Sequence, residues 1–170
     1  MSLEQGRVQS LSGDQARATL AVDEADAADF VALGIPKGSA DKLRADDAAI
    51  DFTMAFGEQQ KAVTAVCRAP WLLIEAGIAE AGIAEGRELT IYPSLRTDLE
   101  NAGTIGSNSM VAVDGVVFTS RRADEQFTQR LVAVLREHNL QNAWRESLES
   151  RSSARSRWPG RDARAVVLRR

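Results

Sequence analysis

Cys67 is the only cysteine of the chain, and its neighbours place it where a thiol could react. It directly follows Lys61-Ala-Val-Thr-Ala-Val66, a short β-branched run that reads as a buried parallel strand. It precedes Arg68-Ala69-Pro70, with proline where a first helical turn tolerates it, and Trp71-Leu-Leu-Ile-Glu-Ala76 continues as a helix. A side chain on the turn between a buried strand and a helix is held on a sharp elbow. In open α/β sheets the crevice beyond the carboxyl ends of the strands is where ligands bind. A thiol at that place faces backbone N–H groups at a helix start, and Arg68 adds positive charge; both favour the thiolate, the nucleophilic form. The loop Pro36-Lys37-Gly38-Ser39 ends an earlier run of the same type. If the two strands are neighbours, the N–H groups of Gly38 and Arg68 could converge on an oxyanion beside Cys67. The other reading of Cys67 is a buried, small apolar residue with no chemistry.

The elements that would position this constellation follow from the apolar pattern. Asp29–Ile35 is an apolar run of strand length. Asp41-Lys-Leu-Arg44 opens a helical stretch in which Ala48, Ala49, Phe52, Ala55 and Phe56 recur at helical spacing, and Gly57 can stop it. Gly86–Ile91 leads as a short strand into Tyr92-Pro93. Met110–Val113 and Val116–Thr119 flank Asp114-Gly115, a hairpin signal of the Asp-Gly type. Asp124 caps a helix with Phe127, Leu131, Val134 and Leu135 on one face. Residues 1–21 are polar and low in signal. The alternation predicts an α/β sandwich with a parallel or mixed sheet covered by helices.

Composition narrows the function classes. The 170 residues suit one α/β domain with a tail, and 44% hydrophobic residues can fill a core. One cysteine excludes an intramolecular disulfide framework, and one histidine excludes a two-histidine metal site. No metal or cofactor is expected. No apolar run reaches the ~20 residues needed to cross a bilayer, and no secretory signal opens the chain, so the expected location is cytoplasmic, with no membrane partner. The net charge of −3 is uneven: residues 141–170 carry eight arginines and three acids, a surplus of +5, leaving −8 on residues 1–140. This divides the chain into a domain over 1–140 and an Arg/Ser-rich tail over 141–170 that reads as flexible. Nucleic-acid binding by the tail is a distant alternative, because its only aromatics are Trp144 and Trp158. Glu75-Ala-Gly-Ile-Ala79 is repeated at once as Glu80-Ala-Gly-Ile-Ala84, a duplication to which no function is assigned.

The segment Ala65-Val-Cys67-Arg68-Ala69-Pro70-Trp71-Leu-Leu-Ile-Glu-Ala-Gly77 resembles the nucleophile elbow of the ThiJ/PfpI family, of the class I glutamine-amidotransferase-like superfamily. The resemblance continues in Leu89–Gly103, in Val113–Arg121 and, upstream, in Val22–Arg44, so it covers roughly residues 8–138. It implies a flavodoxin-like three-layer sandwich, a homo-oligomer, and activity as an intracellular cysteine peptidase or a glyoxalase- or deglycase-type enzyme on small carbonyl or peptide substrates. It further implies Cys67 as nucleophile and the backbone amides of Gly38 and Arg68 as oxyanion donors.

Departures from the family pattern bear on activity. The family histidine after the cysteine is Arg68, which stays protonated and cannot act as a general base. The lone histidine, His138, stands at the end of the last predicted helix, where a cation suits the dipole. Lys37 takes the place of a loop glycine, and is strained if that position needs a positive φ; Ala69 also replaces a glycine. The family's first strand, helix and second strand, with a glutamate that hydrogen-bonds the nucleophile, would precede the matched part, and the chain is expected to lack them. The first strand's place is expected inside the sheet, beside the strand that ends at Cys67. The N-terminal polar segment, Val166–Leu168 or a partner subunit would fill it, or the fold would be poorly stable. Two functions follow: an enzyme with an incomplete cysteine site and impaired activity, or a non-catalytic, redox-responsive relic in which Cys67 oxidises without turnover.

Overall fold

The computed structural model describes residues 1–9, 13, 15–38, 40–78, 86–90, 92–123, 125, 127–133 and 135–136. His138, Val166–Leu168, the tail 141–170 and the whole second repeat copy lie outside the described residues, as do Asp124 and Val134 of the last predicted helix.

Four strands form the central sheet: β3 (Ala32–Ile35), β4 (Ala62–Val66), β7 (Val111–Asp114) and β8 (Val117–Ser120), in the order β3-β4-β8-β7. β3, β4 and β8 are parallel, and β7 returns antiparallel to β8, so the sheet is mixed. Every residue of β4 is buried, as its unbroken apolar and β-branched text requires for a strand covered on both faces. Two further pairs stand beside it. β1 (Gly6–Gln9) and β2 (Gln15–Ala18) form an antiparallel hairpin. β5 (Glu88–Thr90) and β6 (Ile105–Ser107) pair in parallel, and the Thr90 N–H donates to Thr119 Oγ1 at 2.7 Å, tying β5 to β8.

On one face lie α1 (Ala40–Leu43), α2 (Asp47–Glu58) and α3 (Pro70–Leu73), the last continuing as a wider π turn over Ile74–Ile78; α4 spans Arg96–Asn101. Leu33, Ile35, Val63, Ala65 and Val117 of the sheet meet Phe52, Phe56, Leu72 and Leu73 of the helices in the core. On the other face, Gly34 and Thr64 share a groove with Leu131 and Leu135 of the helical residues 127–133 and 135–136. The expected α/β architecture is therefore present.

Several local expectations are corrected. The run Asp29–Ile35 is a strand only from Ala32; Ala27–Asp29 is a 3-10 turn capped by Asp26, whose carboxylate accepts the Ala28 N–H at 2.8 Å. The helical stretch splits at Asp46, which caps α2 by accepting the Ala49 N–H at 2.9 Å. Gly57 does not stop α2. It remains helical, and Gln60 turns the chain with φ +52°. The Lys61 N–H then donates to Phe56 O at 2.9 Å and the Gln60 N–H to Gly57 O at 3.0 Å, the Schellman pattern that satisfies the last carbonyls. Glutamine in that left-handed position is strained, so Gln60→Gly should raise stability by about 0.5–1 kcal/mol in denaturant unfolding. In the β7–β8 hairpin Asp114 pairs with Val117, so Gly115-Val116 is the two-residue loop and the positive φ falls on Gly115, its first residue. Arg87 closes over this turn, with Nη1 donating to Asp114 O at 3.0 Å.

The polar N-terminal segment folds as the β1–β2 hairpin and does not enter the central sheet. The expected gap beside the strand ending at Cys67 is not where the sheet is open, because β4 is flanked by β3 and β8. Among the described residues no strand pairs with the other edge of β3. An apolar groove of about 340 Å³ runs along that edge, lined by Leu3, Val31, Leu33, Phe52 and Leu131 among others.

Candidate functional site

The parallel strands β3, β4 and β8 end on one rim, and β5, bonded to β8, ends there too. Four segments leave that rim: Pro36–Gly38, Cys67–Ala69, Tyr92–Leu95 and Ser120–Arg122. Because Ile35 pairs with Ala65, the Gly38 loop and the Cys67 elbow emerge from adjacent strands.

Cys67 has φ +65°, the left-handed region that L residues avoid because Cβ crowds the following carbonyl. Such a conformation costs of order 1–3 kcal/mol, and it persists only where the surroundings over-determine it. Here two anchors do so. The Cys67 N–H donates to Ser120 O at 2.7 Å, continuing the β4–β8 ladder one residue past the strand. The Ala69 N–H then donates back to Val66 O at 3.1 Å and the Trp71 N–H to Arg68 O at 3.1 Å, closing the turn into α3. Ala69 and Leu73 are fully buried beneath it. The thiol is half-buried, and among the described residues Sγ has no hydrogen-bond partner.

The predicted partners fall as follows. The Arg68 N–H has no acceptor among the described residues, and the Arg68 side chain is exposed. Gly38 has φ +128° with open space where a Cβ would lie, and its N–H likewise has no acceptor among the described residues. Lys37 does not take a positive φ, so the expected strain there is absent: the loop's left-handed demand falls on Gly38. Strand order thus brings the Gly38 loop, Cys67 and Arg68 to one rim. Among the described residues no group of three or more His, Cys, Asp or Glu side chains could hold a metal ion.

Behind the elbow a polar brace ties the helices together. Arg44 pairs with Glu75, with Nε donating to Oε1 at 2.9 Å, and its guanidinium lies 4.5 Å from the Trp71 ring centroid. Trp71 Nε1 donates to Asp98 Oδ2 at 2.8 Å.

Sequence reasoning missed the β8 end of the rim. Ser120 supplies the carbonyl that fixes Cys67, and its hydroxyl donates to Arg122 O at 2.6 Å, with Met110 O at 3.1 Å as the alternative acceptor. Arg121 and Arg122 follow, lining a pocket of about 400 Å³ with Tyr92, Pro93, Ser94 and Met110. The available signal was two adjacent arginines directly after a strand parallel to the one that ends at Cys67.

Comparison with known proteins places this geometry. The model of the DJ-1/PfpI family matches residues 1–134. The chain is 39% identical over 127 residues to YraA of Bacillus subtilis, named as a cysteine protease, covering 74% of this chain and 72% of that protein. It is 32% identical over 127 residues to a deglycase of Thermococcus kodakarensis, covering 74% of each. Among solved structures it is similar to a two-domain protein of Anabaena variabilis containing DJ-1/ThiJ/PfpI-like and ferritin-like domains. That match has TM-score 0.71 and 29% identity, over 78% of this chain and 38% of the other.

Proposed function

The chain belongs to the DJ-1/PfpI family, and from that premise we propose that it is a cysteine-dependent enzyme acting on small reactive carbonyls, with Cys67 as nucleophile. The observation that carries the reading is the left-handed Cys67, half-buried and held by Ser120 O on the rim of the parallel strands. Strained backbone of this kind concentrates where a side chain must be aimed rather than merely packed.

The chemistry follows from the groups at hand. Thiolate Sγ attacks an aldehyde carbon; an S–C bond forms and the carbonyl π pair moves to oxygen. The N–H groups of Arg68 and Gly38, without acceptors among the described residues, are the donors proposed for that oxyanion, which water protonates to give a hemithioacetal. Among the described residues no acid or base bonds Sγ, and each positioned proton-transfer group contributes roughly 10²–10⁴-fold, so turnover is slow. With a 2-oxoaldehyde such as methylglyoxal, the proton on the former aldehyde carbon is lost to water and one returns to the neighbouring carbonyl carbon, giving a 2-hydroxyacyl thioester. Water hydrolyses it to the hydroxy acid and frees the Cys67 thiol, a hydrolytic release that fits the relatives' names, a cysteine protease and a deglycase. Among the described residues no helix is long and apolar enough to cross a membrane. We place the protein in the cytoplasm, where a lone thiol stays reduced.

The test is methylglyoxal consumption by wild type and by Cys67→Ala, on samples with cooperative thermal melts. The expected result is slow consumption by wild type and only the buffer rate in the variant. Equal rates in the two proteins would overturn the assignment.

A further inference from the structure

From the charges around the elbow, we infer that the carbonyl substrate bears an anionic group, a carboxylate or a phosphate, received by Arg68 and Arg122. The inference rests on the reading of Cys67 as nucleophile and adds the class of substrate.

Three observations carry it. First, the rim is cationic by construction. Arg68 follows Cys67 directly, and the Cys67 N–H is bonded to Ser120 O at 2.7 Å, so Arg121 and Arg122 continue from the residue that anchors the elbow. Three arginines thus stand on the chain within two residues of one hydrogen bond. Second, Arg68 and Arg122 have exposed side chains with no ion pair or hydrogen bond among the described residues. Of the acids on the packed segments, Asp98 accepts from Trp71 and Glu75 pairs with Arg44, and Glu125, three residues after Arg122, accepts from Gln129. Third, Arg121 and Arg122 border a space rather than bulk surface, on the segment that Ser120 O ties to Cys67. Arg121 and Arg122 line the pocket of about 400 Å³ whose other walls are Tyr92, Pro93, Ser94 and Met110. Arg121 is oriented across it, its Nη2 donating to Asn108 Oδ1 at 2.7 Å, and Arg122 is seated by the Ser120 hydroxyl, which bonds its carbonyl and receives its N–H at 3.2 Å. Guanidinium groups match carboxylate and phosphate oxygens with paired donors, so a wall of this kind selects an anion over a neutral analogue of equal size.

Two reagents of equal size and different charge read the selection at Cys67 itself. Iodoacetate and iodoacetamide react alike: the S–C bond forms, the C–I bond breaks and iodide leaves. For a simple thiol the negative reagent is the slower one. In this protein the iodoacetate-to-iodoacetamide rate ratio should exceed that of glutathione by about tenfold in dilute buffer. It should fall towards the glutathione value as the screening length shrinks from about 30 Å at 0.01 M salt to about 3 Å at 1 M. Arg122→Gln should remove at least half of the excess, and Arg17→Gln, on the separate β1–β2 hairpin, none of it. A ratio equal to that of glutathione and indifferent to salt would overturn the inference.

Binding without chemistry separates this from the nucleophile assignment. In the Cys67→Ala variant, oxalate or inorganic phosphate should bind saturably in calorimetry and lose about tenfold in affinity when Arg122→Gln is added. Whichever anion binds tells carboxylate from phosphate. Binding of neither overturns the anion site even if Cys67 alkylates. Binding in a protein whose Cys67 resists both iodo reagents upholds the anion site and overturns the nucleophile.

Discussion

Cys67→Gly is expected to remove turnover completely and yet to be more stable than Cys67→Ala. Both variants lack the thiol, so both should consume methylglyoxal only at the buffer rate. They differ in what the backbone must bear. At an ordinary position glycine is less stable than alanine by roughly 0.5–1 kcal/mol, because it loses more chain entropy on folding. At φ +65° the order reverses, since alanine keeps the Cβ that crowds the next carbonyl, at roughly 1–2 kcal/mol, and glycine does not. Chemical denaturation should therefore rank Cys67→Gly above Cys67→Ala by about 1 kcal/mol, a few degrees in Tm for a chain of this length. The opposite ranking would mean that the elbow is unstrained, and would remove the observation on which the functional proposal stands.

The largest loss of stability is expected from Phe56→Ala, at about 3–5 kcal/mol. Phe56 is fully buried, and its ring meets Phe52 edge-on at 5.1 Å between centroids, with Lys61 Nζ 5.7 Å from its own centroid. It belongs to the cluster that also contains Val63 and Ala65 of β4. Truncation leaves a cavity beneath the strand that carries Cys67, in a domain whose whole stability is of order 5–15 kcal/mol. Urea unfolding should show a midpoint lowered accordingly with an unchanged slope. A loss under 1 kcal/mol would mean that α2 does not pack on β4 as described.

Much of the site was legible in the text of the chain because its determinants are local. A run of Ala, Val and Thr, then Cys-Arg-Ala-Pro, then Trp-Leu-Leu-Ile, specifies a buried strand, a tight turn and a helix whose proline sits at the first turn. The end of α2 shows where local signals fall short. Glycine is the common left-handed residue, so Gly57 attracted the stop, whereas the chain turns at Gln60, after the core-facing positions Phe52 and Phe56 have been served. The expected gap in the sheet was misplaced for a different reason. Strand text reports burial but not neighbours, and β4 proves to have β3 on one side and β8, more than 50 residues later, on the other.

That division has a physical cause. The strand–elbow–helix around Cys67, the α/β alternation and the family pattern depend on residues within a few positions of one another, and the sequence by itself determined them. The left-handed strain of Cys67, its anchoring by Ser120 and the arrival of the Gly38 loop, Arg68 and Arg122 on one rim were decided only by the tertiary structure. Each requires segments distant along the chain to be brought together by the order of strands in the sheet. Long-range pairing of that kind, unlike a local turn, leaves no periodic signal in the sequence.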